Sequence, residues 1–173
     1  ASVGWILSDE SFMNSGFLGK FNLLKLRASY GQTGNANIPS FAFVNTYANW
    51  PVYGQSPALG FGVLANPNIG WEKNNQFDTG LEFGLWGNRL SGSIGYYDRL
   101  SKEMLLNVPV APNVGIGTGA SQVITNIGDL RNRGFELQLS SVNLNKGDFR
   151  WSTDLNFSSI SNEVTRLTPQ FEV

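Results

Sequence analysis

The sequence contains no cysteine and no histidine. Without cysteine there is no disulfide framework and no thiolate metal site. Without histidine there is no Ser-His-Asp triad, no imidazole-ligated zinc and no ordinary general base for neutral pH. These two gaps exclude most hydrolases and metalloenzymes, and no cofactor is expected. Charge is scarce as well: 14% of residues are Asp, Glu, Lys or Arg, where about a quarter is usual. The net charge of -1 offers no basic footprint for nucleic acid. No apolar run approaches the roughly 18 residues of a transmembrane helix. Ala1-Ser2-Val3-Gly4-Trp5 lacks a charged region followed by a long apolar one, so no signal peptide is expected there. None of this excludes a membrane. A transmembrane β-barrel shows only segments of about ten residues with alternating hydrophobicity between turns.

Alternation is what the chain has in place of these features, and residues 76–99 carry it best. Phe77, Thr79, Leu81, Phe83 and Leu85 alternate with Gln76, Asp78, Gly80, Glu82 and Gly84. After Gly87-Asn88, Leu90, Gly92, Ile94 and Tyr96 alternate with Arg89, Ser91, Ser93 and Gly95. Successive strand side chains point to opposite faces, and Gly-Asn between two such runs predicts a two-residue hairpin loop. That loop pairs Trp86 with Arg89. It then sets Leu85 against Leu90, Leu81 against Ile94 and Thr79 against Tyr96 on one face, with Glu82–Ser93 and Gly80–Gly95 on the other. A slip of one residue would mix the faces.

Further strands are expected over residues 21–31, from Leu24, Leu26, Ala28 and Tyr30, and around Phe135, Leu137 and Leu139. Another runs from Phe149 through Trp151, Thr153, Leu155 and Phe157. The apolar residues of the last two are odd-numbered, so an odd loop of three or five residues is expected between them. The second hairpin strand could continue through Met104 to Val108, before Pro109 and Pro112 block the ladder. Residues 31–75 and 109–127 read as long loops, and a single short helical turn is expected near Ser8 to Met13. Long and short connections therefore alternate, as extracellular loops and periplasmic turns do in outer-membrane barrels. The expected fold is an all-β, antiparallel, transmembrane β-barrel segment. Five clear strands fall short of the roughly eight that a membrane barrel needs, and an open edge does not sit in lipid. The chain is therefore expected to belong to something larger. A β-sandwich with the same apolar face turned inward, binding a carbohydrate or a partner, is the competing architecture.

Blocks of sequence carry a resemblance that favours the barrel, with the β-sandwich kept as the alternative. They are Leu24-Lys25-Leu26-Arg27-Ala28-Ser29-Tyr30-Gly31-Gln32-Thr33-Gly34-Asn35, Asn66-Pro67-Asn68-Ile69-Gly70-Trp71-Glu72-Lys73, Gly80-Leu81-Glu82-Phe83-Gly84 and Asn88-Arg89-Leu90-Ser91-Gly92-Ser93-Ile94. Tyr96-Tyr97-Asp98, Leu105-Leu106-Asn107-Val108-Pro109, Asn126-Ile127-Gly128 and Asn132-Arg133-Gly134-Phe135-Glu136-Leu137 follow in order. Together they cover most of residues 20–167, and the chain resembles the SusC/RagA family of TonB-dependent outer-membrane transporters from Bacteroidota.

The resemblance implies a barrel of about 22 strands around an N-terminal plug. It implies TonB-driven import of large nutrients, typically oligosaccharides or peptides, under a SusD-like surface lipoprotein lid. The implied location is the bacterial outer membrane. The implied partners are the rest of the barrel, its plug, TonB, the lipoprotein and lipid, and the implied role is not enzymatic. Residues 1–173 are then part of a single TonB-dependent receptor β-barrel domain, read as an internal piece of its C-terminal half. The plug, the TonB box, the carboxypeptidase-like extension and a terminal strand ending in an aromatic residue are expected outside this stretch, which would not transport alone. A structural barrel within an envelope complex is a further alternative.

On this reading Phe77, Leu81, Phe83, Leu85, Leu90, Ile94, Phe135, Leu137, Leu139, Leu155 and Phe157 face lipid. Gln76, Asp78, Glu82, Arg89, Glu136, Gln138 and Asp154 face the plugged interior. Gly80, Gly84, Ser91, Ser93 and Gly95 either leave room for a plug or merely keep a solvent-facing sheet flexible. Trp50, Tyr53, Phe61 and Trp71, in or beside the first long loop, are candidates for stacking on sugar rings or packing against the lid. Trp151, Trp86 and Tyr97 lie near strand ends, where membrane barrels place aromatic girdles. Asp78 and Glu82 lie ~13 Å apart at ~3.3 Å per residue, too far for the roughly 5 to 9.5 Å of a glycosidase pair. Gly115-Ile116-Gly117-Thr118-Gly119 lacks the spacing of a phosphate loop. Asn156-Phe157-Ser158 matches a glycosylation triplet but falls within an expected strand.

Overall fold

The structure is a computed structural model in which residues 1–53, 56–111 and 122–167 are described. Ten strands follow one another: β1 (Ser2–Ile6), β2 (Phe21–Asn35), β3 (Thr46–Tyr53), β4 (Ser56–Val63), β5 (Glu72–Leu85), β6 (Leu90–Lys102), β7 (Leu105–Pro109), β8 (Gln122–Asn126), β9 (Asp129–Lys146) and β10 (Phe149–Arg166). Six of them form one sheet in the order β1-β2-β5-β6-β9-β10. This is an antiparallel meander whose order is linear, with β1 and β10 as its edges. Two hairpins, β3–β4 and β7–β8, form separate two-stranded sheets within the long connections.

The turn after β5 follows the sequence rule. Gly87 and Asn88 take φ of 65° and 62°, the positive values that a primed turn requires. The Arg89 amide donates to the Trp86 carbonyl at 3.4 Å. Trp86 itself has φ of 53°, unusual for a bulky residue, and its amide donates to the Lys20 carbonyl. The expected register holds at both ends of the ribbon. The Phe83 ring reaches 3.1 Å from where a Cβ on Gly92 would stand, and Ser101 Oγ donates to Asn74 Oδ1 at 2.6 Å.

Four expectations need correction. Residues 31–75 are not an irregular loop, because β2 continues to Asn35 and the stretch carries β3 and β4. A two-stranded ribbon needs no strict alternation of apolar and polar residues, so the period test misses it. β6 does not run on to Val108. The chain turns out of the sheet at Glu103, at φ 56°, and β7 pairs with β8 so that Pro109 faces Gln122 at a strand end. The connection after β9 is the two-residue turn Gly147-Asp148, not three or five residues. The parity argument nevertheless survives: Asn143 bonds Thr153 and Ser140 bonds Asp154, odd with odd and even with even. One residue is therefore taken up in the ladder beside the turn, as in a bulge. At the N-terminus, β1 was not expected. Three single 3-10 turns, Leu7–Asp9, Ser11–Asn14 and Leu18–Lys20, stand where one turn was.

The chain divides into two compact units. One comprises Ala1–Gln32, Asn75–Leu100 and Arg131–Glu163, and the other Thr33–Asn74, Ser101–Leu130 and Val164–Val173. A chain of this length ordinarily buries a substantial core. Among the described residues the buried hydrophobic side chains are only Met13, Ala42 and Leu85. A sandwich would cover the apolar face with a second layer. Instead Leu155 and Phe157 are 52% and 54% exposed, while Leu81 and Ile94 are half-buried.

Candidate functional site: a two-faced wall and its loop base

In the first unit, the apolar face runs along β5 from Phe77 to Leu85, ~26 Å at ~3.3 Å per residue. The apolar band of an outer-membrane barrel is about 25 Å tall. Phe77, Phe135, Leu155 and Phe157 are exposed, and Leu81, Phe83, Leu90, Ile94, Leu137 and Leu139 are half-buried. Leu85 departs from the set: at 6% exposure it is tucked into the chain. The edge strand β1 extends the band, since Val3 pairs with Ala28 and Trp5 with Leu26. The alternation of Val3 and Trp5 with Ser2 and Gly4 is the signal that could have found it, over five residues only. Beyond Tyr96 the same face ends in an ion pair, where Arg131 Nε meets both Asp98 oxygens at 2.9 and 3.1 Å and a second guanidinium nitrogen completes a bidentate contact.

The other face carries charge that is mostly paired. Glu82 sits 3.6 Å from Lys25 Nζ and 3.5 Å from Arg27 Nε, and Asp78 lies 3.8 Å from Arg99. Such half-exposed pairs contribute little stability each. Both carboxylates are thus engaged with cations rather than with each other. Asp154 accepts from Ser140, while Gln76, Arg89, Glu136 and Gln138 are exposed, Arg89 within the turn itself.

The small residues of this face are not uniformly open. A Cβ on Gly80 would stand 3.1 Å from Arg27 Nε, and one on Gly84 would stand 3.1 Å from Asn22 Nδ2, so these side chains already cover both glycines. Gly95 has open space above it. Tyr97, a girdle candidate, lies against the glycine of a neighbouring strand. Its side chain folds over Gly134 so closely that a Cβ there would meet the phenol oxygen at 2.5 Å and the ring carbons Cζ and Cε1 at 2.6 and 2.8 Å, and Arg99 stacks on the ring at 4.9 Å. An aromatic ring laid over a cross-strand glycine pins register. Trp86 and Trp151 are both exposed.

In the second unit, asparagines and carboxylates tie the bases of the long connections to each other. Asn126 Oδ1 accepts from the Gly70 amide at 2.7 Å, and its Nδ2 donates to the carbonyls of Gly70 and Glu103. Asn66 Nδ2 donates to the Ile124 carbonyl. Glu72 accepts from the Leu105 amide and from Asn35 Nδ2. Asp129 accepts from the Glu103 amide and from Arg166, and Lys73 pairs with Glu103 at 2.8 Å. These partners explain several residues of the Asn66–Lys73 and Asn126–Gly128 blocks as fasteners. Asn126→Ala removes three bonds to partly buried backbone groups. It should loosen this base by about 1–3 kcal/mol, measured as faster proteolysis and faster amide exchange across 66–72 and 103–106. Unchanged exchange there would contradict the role.

Of the candidate ligand contacts, Trp71 is exposed and lies over Gly34, its Cε3 3.0 Å from a Cβ placed there. Trp50, Tyr53 and Phe61 have side chains outside the described residues, as does the glycine-rich stretch Gly115–Gly119. Asn156-Phe157-Ser158 lies within β10.

A meandering ribbon with an uncovered apolar band of membrane height, and a polar face of paired charges, is a stretch of β-barrel wall. The chain matches the family model "TonB dependent receptor-like, beta-barrel" over residues 1–170 and belongs to that family, which is one of receptors and transporters and not an enzyme class. It is 36% identical to TonB-dependent receptor P39 of Formosa agariphila over 168 residues, 97% of this chain and 16% of that protein. It is 31% identical to TonB-dependent receptor SusC of Bacteroides thetaiotaomicron, over 96% of this chain and 17% of SusC. Among solved structures, the RagAB peptide transporter superposes with a TM-score of 0.76 at 29% identity, over 96% of this chain and 18% of that one. The chain therefore spans less than a fifth of the length of these relatives.

Proposed function

We propose that this chain is a stretch of the wall of an outer-membrane, TonB-dependent nutrient importer. Phe77, Leu81, Phe83, Leu90, Ile94, Phe135, Leu137, Leu139, Leu155 and Phe157 lie against lipid, with Leu85 at the inner margin of the band. Gln76, Asp78, Glu82, Glu136, Gln138 and Asp154 line the interior around a plug supplied by the rest of the polypeptide, and Arg89 lies at its turn-side rim. The long connections open to the outside, beneath a SusD-like lipoprotein. Substrate is held between lid and barrel, and TonB pulling on the plug opens the path. No residue of the wall makes or breaks a covalent bond.

The single observation that carries this reading is the apolar band left uncovered by the chain's own fold, in a member of this barrel family. The description of RagAB as a peptide transporter supports import as the activity. The test is uptake by cells producing the parent polypeptide, with and without TonB. Uptake should fall at least about tenfold without TonB, and the protein should fractionate with the outer membrane and carry a surface lipoprotein through purification. Outer-membrane location with TonB-independent uptake, or with none, would favour the structural barrel.

A further inference from the structure

The apolar band of the first unit has a polar margin on its loop side. On β10 the odd-numbered side chains change there from Leu155 and Phe157 to Ser159, Ser161 and Glu163, and on β9 from Phe135 to Arg133 and Arg131. The Val142 amide bonds the Arg89 carbonyl and Tyr97 covers Gly134, which sets Arg133 beside Asp98 in the antiparallel ladder. Asn162 bonds Asn132, which sets Ser161 on the other side of Arg133. Asp98 is already held by the Arg131 fork, and Glu163 also acts on Arg131. Arg133 is exposed and enters none of the six ion pairs found among the described residues. It acts on Asp98 only through space.

The same face carries an apolar hollow of about 260 Å³ lined by Val3, Ala28, Tyr30 and Phe77. The hairpin register that brings Ser101 to Asn74 sets Phe77 against Asp98, so the hollow lies at the height of Arg133. In the strand order β2-β5-β6-β9, Ala28 and Arg133 are separated by three strand spacings, ~14 Å. The reach of the arginine stem and the width of a two-chain lipid span that gap.

We infer that this margin is a site for a phosphate-bearing lipid of the outer leaflet, an inference that rests on the lipid reading above. A guanidinium that borders hydrocarbon without an ion-pair partner is costly. A phosphate relieves the cost, because it accepts two parallel hydrogen bonds from the arginine fork. The hydroxyls of Ser159 and Ser161 supply further donors beside it. The acyl chain lies in the hollow over Ala28, between the Tyr30 and Phe77 rings. One lipid molecule brings both halves, the anion at the margin and the chain against the band. A soluble anion would use Arg133 and leave the hollow, and an uncharged lipid would do the reverse.

The test is native mass spectrometry of the purified full-length polypeptide in detergent, titrated separately with dioleoyl phosphatidate, dioleoylglycerol and inorganic phosphate. Phosphatidate should be retained at a site that Arg133→Ala weakens about tenfold. Ala28→Leu, which fills the hollow, should weaken the same site with no change of charge. Arg133→Lys keeps the charge and loses the fork, so it should fall between wild type and Arg133→Ala, and its heat-modifiable migration shows that the barrel has folded. Equal retention of phosphatidate and dioleoylglycerol would overturn the inference, as would phosphatidate retention that none of these variants changes. Retention of inorganic phosphate that Arg133→Ala removes and Ala28→Leu leaves intact would reassign Arg133 to a soluble anion. Loss of the phosphatidate site, with oxygen accessibility still peaking at odd-numbered positions of β9 and β10, would sink this inference alone. A wall without that accessibility pattern would remove the lipid reading as well.

Discussion

Leu81→Arg should nearly abolish assembly of the parent barrel, while Gln138→Arg leaves it close to wild type. Leu81 lies midway along the β5 band between Phe77 and Leu85. On the lipid reading its replacement places a guanidinium near the bilayer centre, at a cost of about 2–4 kcal/mol. Gln138 is exposed on the polar face, where water reaches a new cation. Glu82→Arg would be a poor control, because it sets a third cation beside Lys25 and Arg27. The readout is the outer-membrane level of heat-modifiable, folded protein. Equal levels for the Leu81 and Gln138 variants would mean that the apolar face is not in hydrocarbon.

Gly134→Ala should damage this wall, as should Gly92→Ala, whose new methyl would meet the Gln138 carbonyl. The new Cβ at position 134 would stand within 2.8 Å of the Tyr97 phenol oxygen and two of its ring carbons. That ring is a rigid plane with Arg99 stacked on it, not the loose end of a flexible chain. Overpacking of this kind costs about 1–3 kcal/mol. Tyr97→Ala in the Gly134→Ala background should recover much of the loss, so the two changes couple with opposite sign. Denaturant midpoints of the four proteins of this cycle measure it. Strict additivity would show that the ring does not constrain Gly134.

The central hairpin was legible because three independent signals coincide there: period-two alternation, a Gly-Asn turn, and faces that stay sorted in only one register. The same parity logic placed β10 against β9 although the turn length was misjudged, because side-chain faces are set by the ladder and not by the loop. The inserted hairpins were not legible. Their strands contain Pro51, Pro57 and Pro109 and no sustained alternation, which a two-stranded ribbon with free edges tolerates. The polar face was half legible. Its residues could be assigned by parity, but the covering of Gly80 by Arg27, of Gly84 by Asn22 and of Gly134 by Tyr97 depends on which strands adjoin. The fastening roles of Asn66 and Asn126 were hidden for the same reason, since Ile124 and Gly70, which they bond, lie more than 50 residues away.

Lipid contact of the odd-numbered side chains in β9 and β10 is the claim on which the rest depends. Single spin labels at residues 135–139 and 154–157 of the full-length protein in outer-membrane lipid test it through accessibility to oxygen and to a water-soluble nickel chelate. Oxygen accessibility should peak at 135, 137, 139, 155 and 157, and nickel accessibility at 136, 138, 154 and 156. Profiles without a two-residue period, or with the two reagents exchanged, would contradict it.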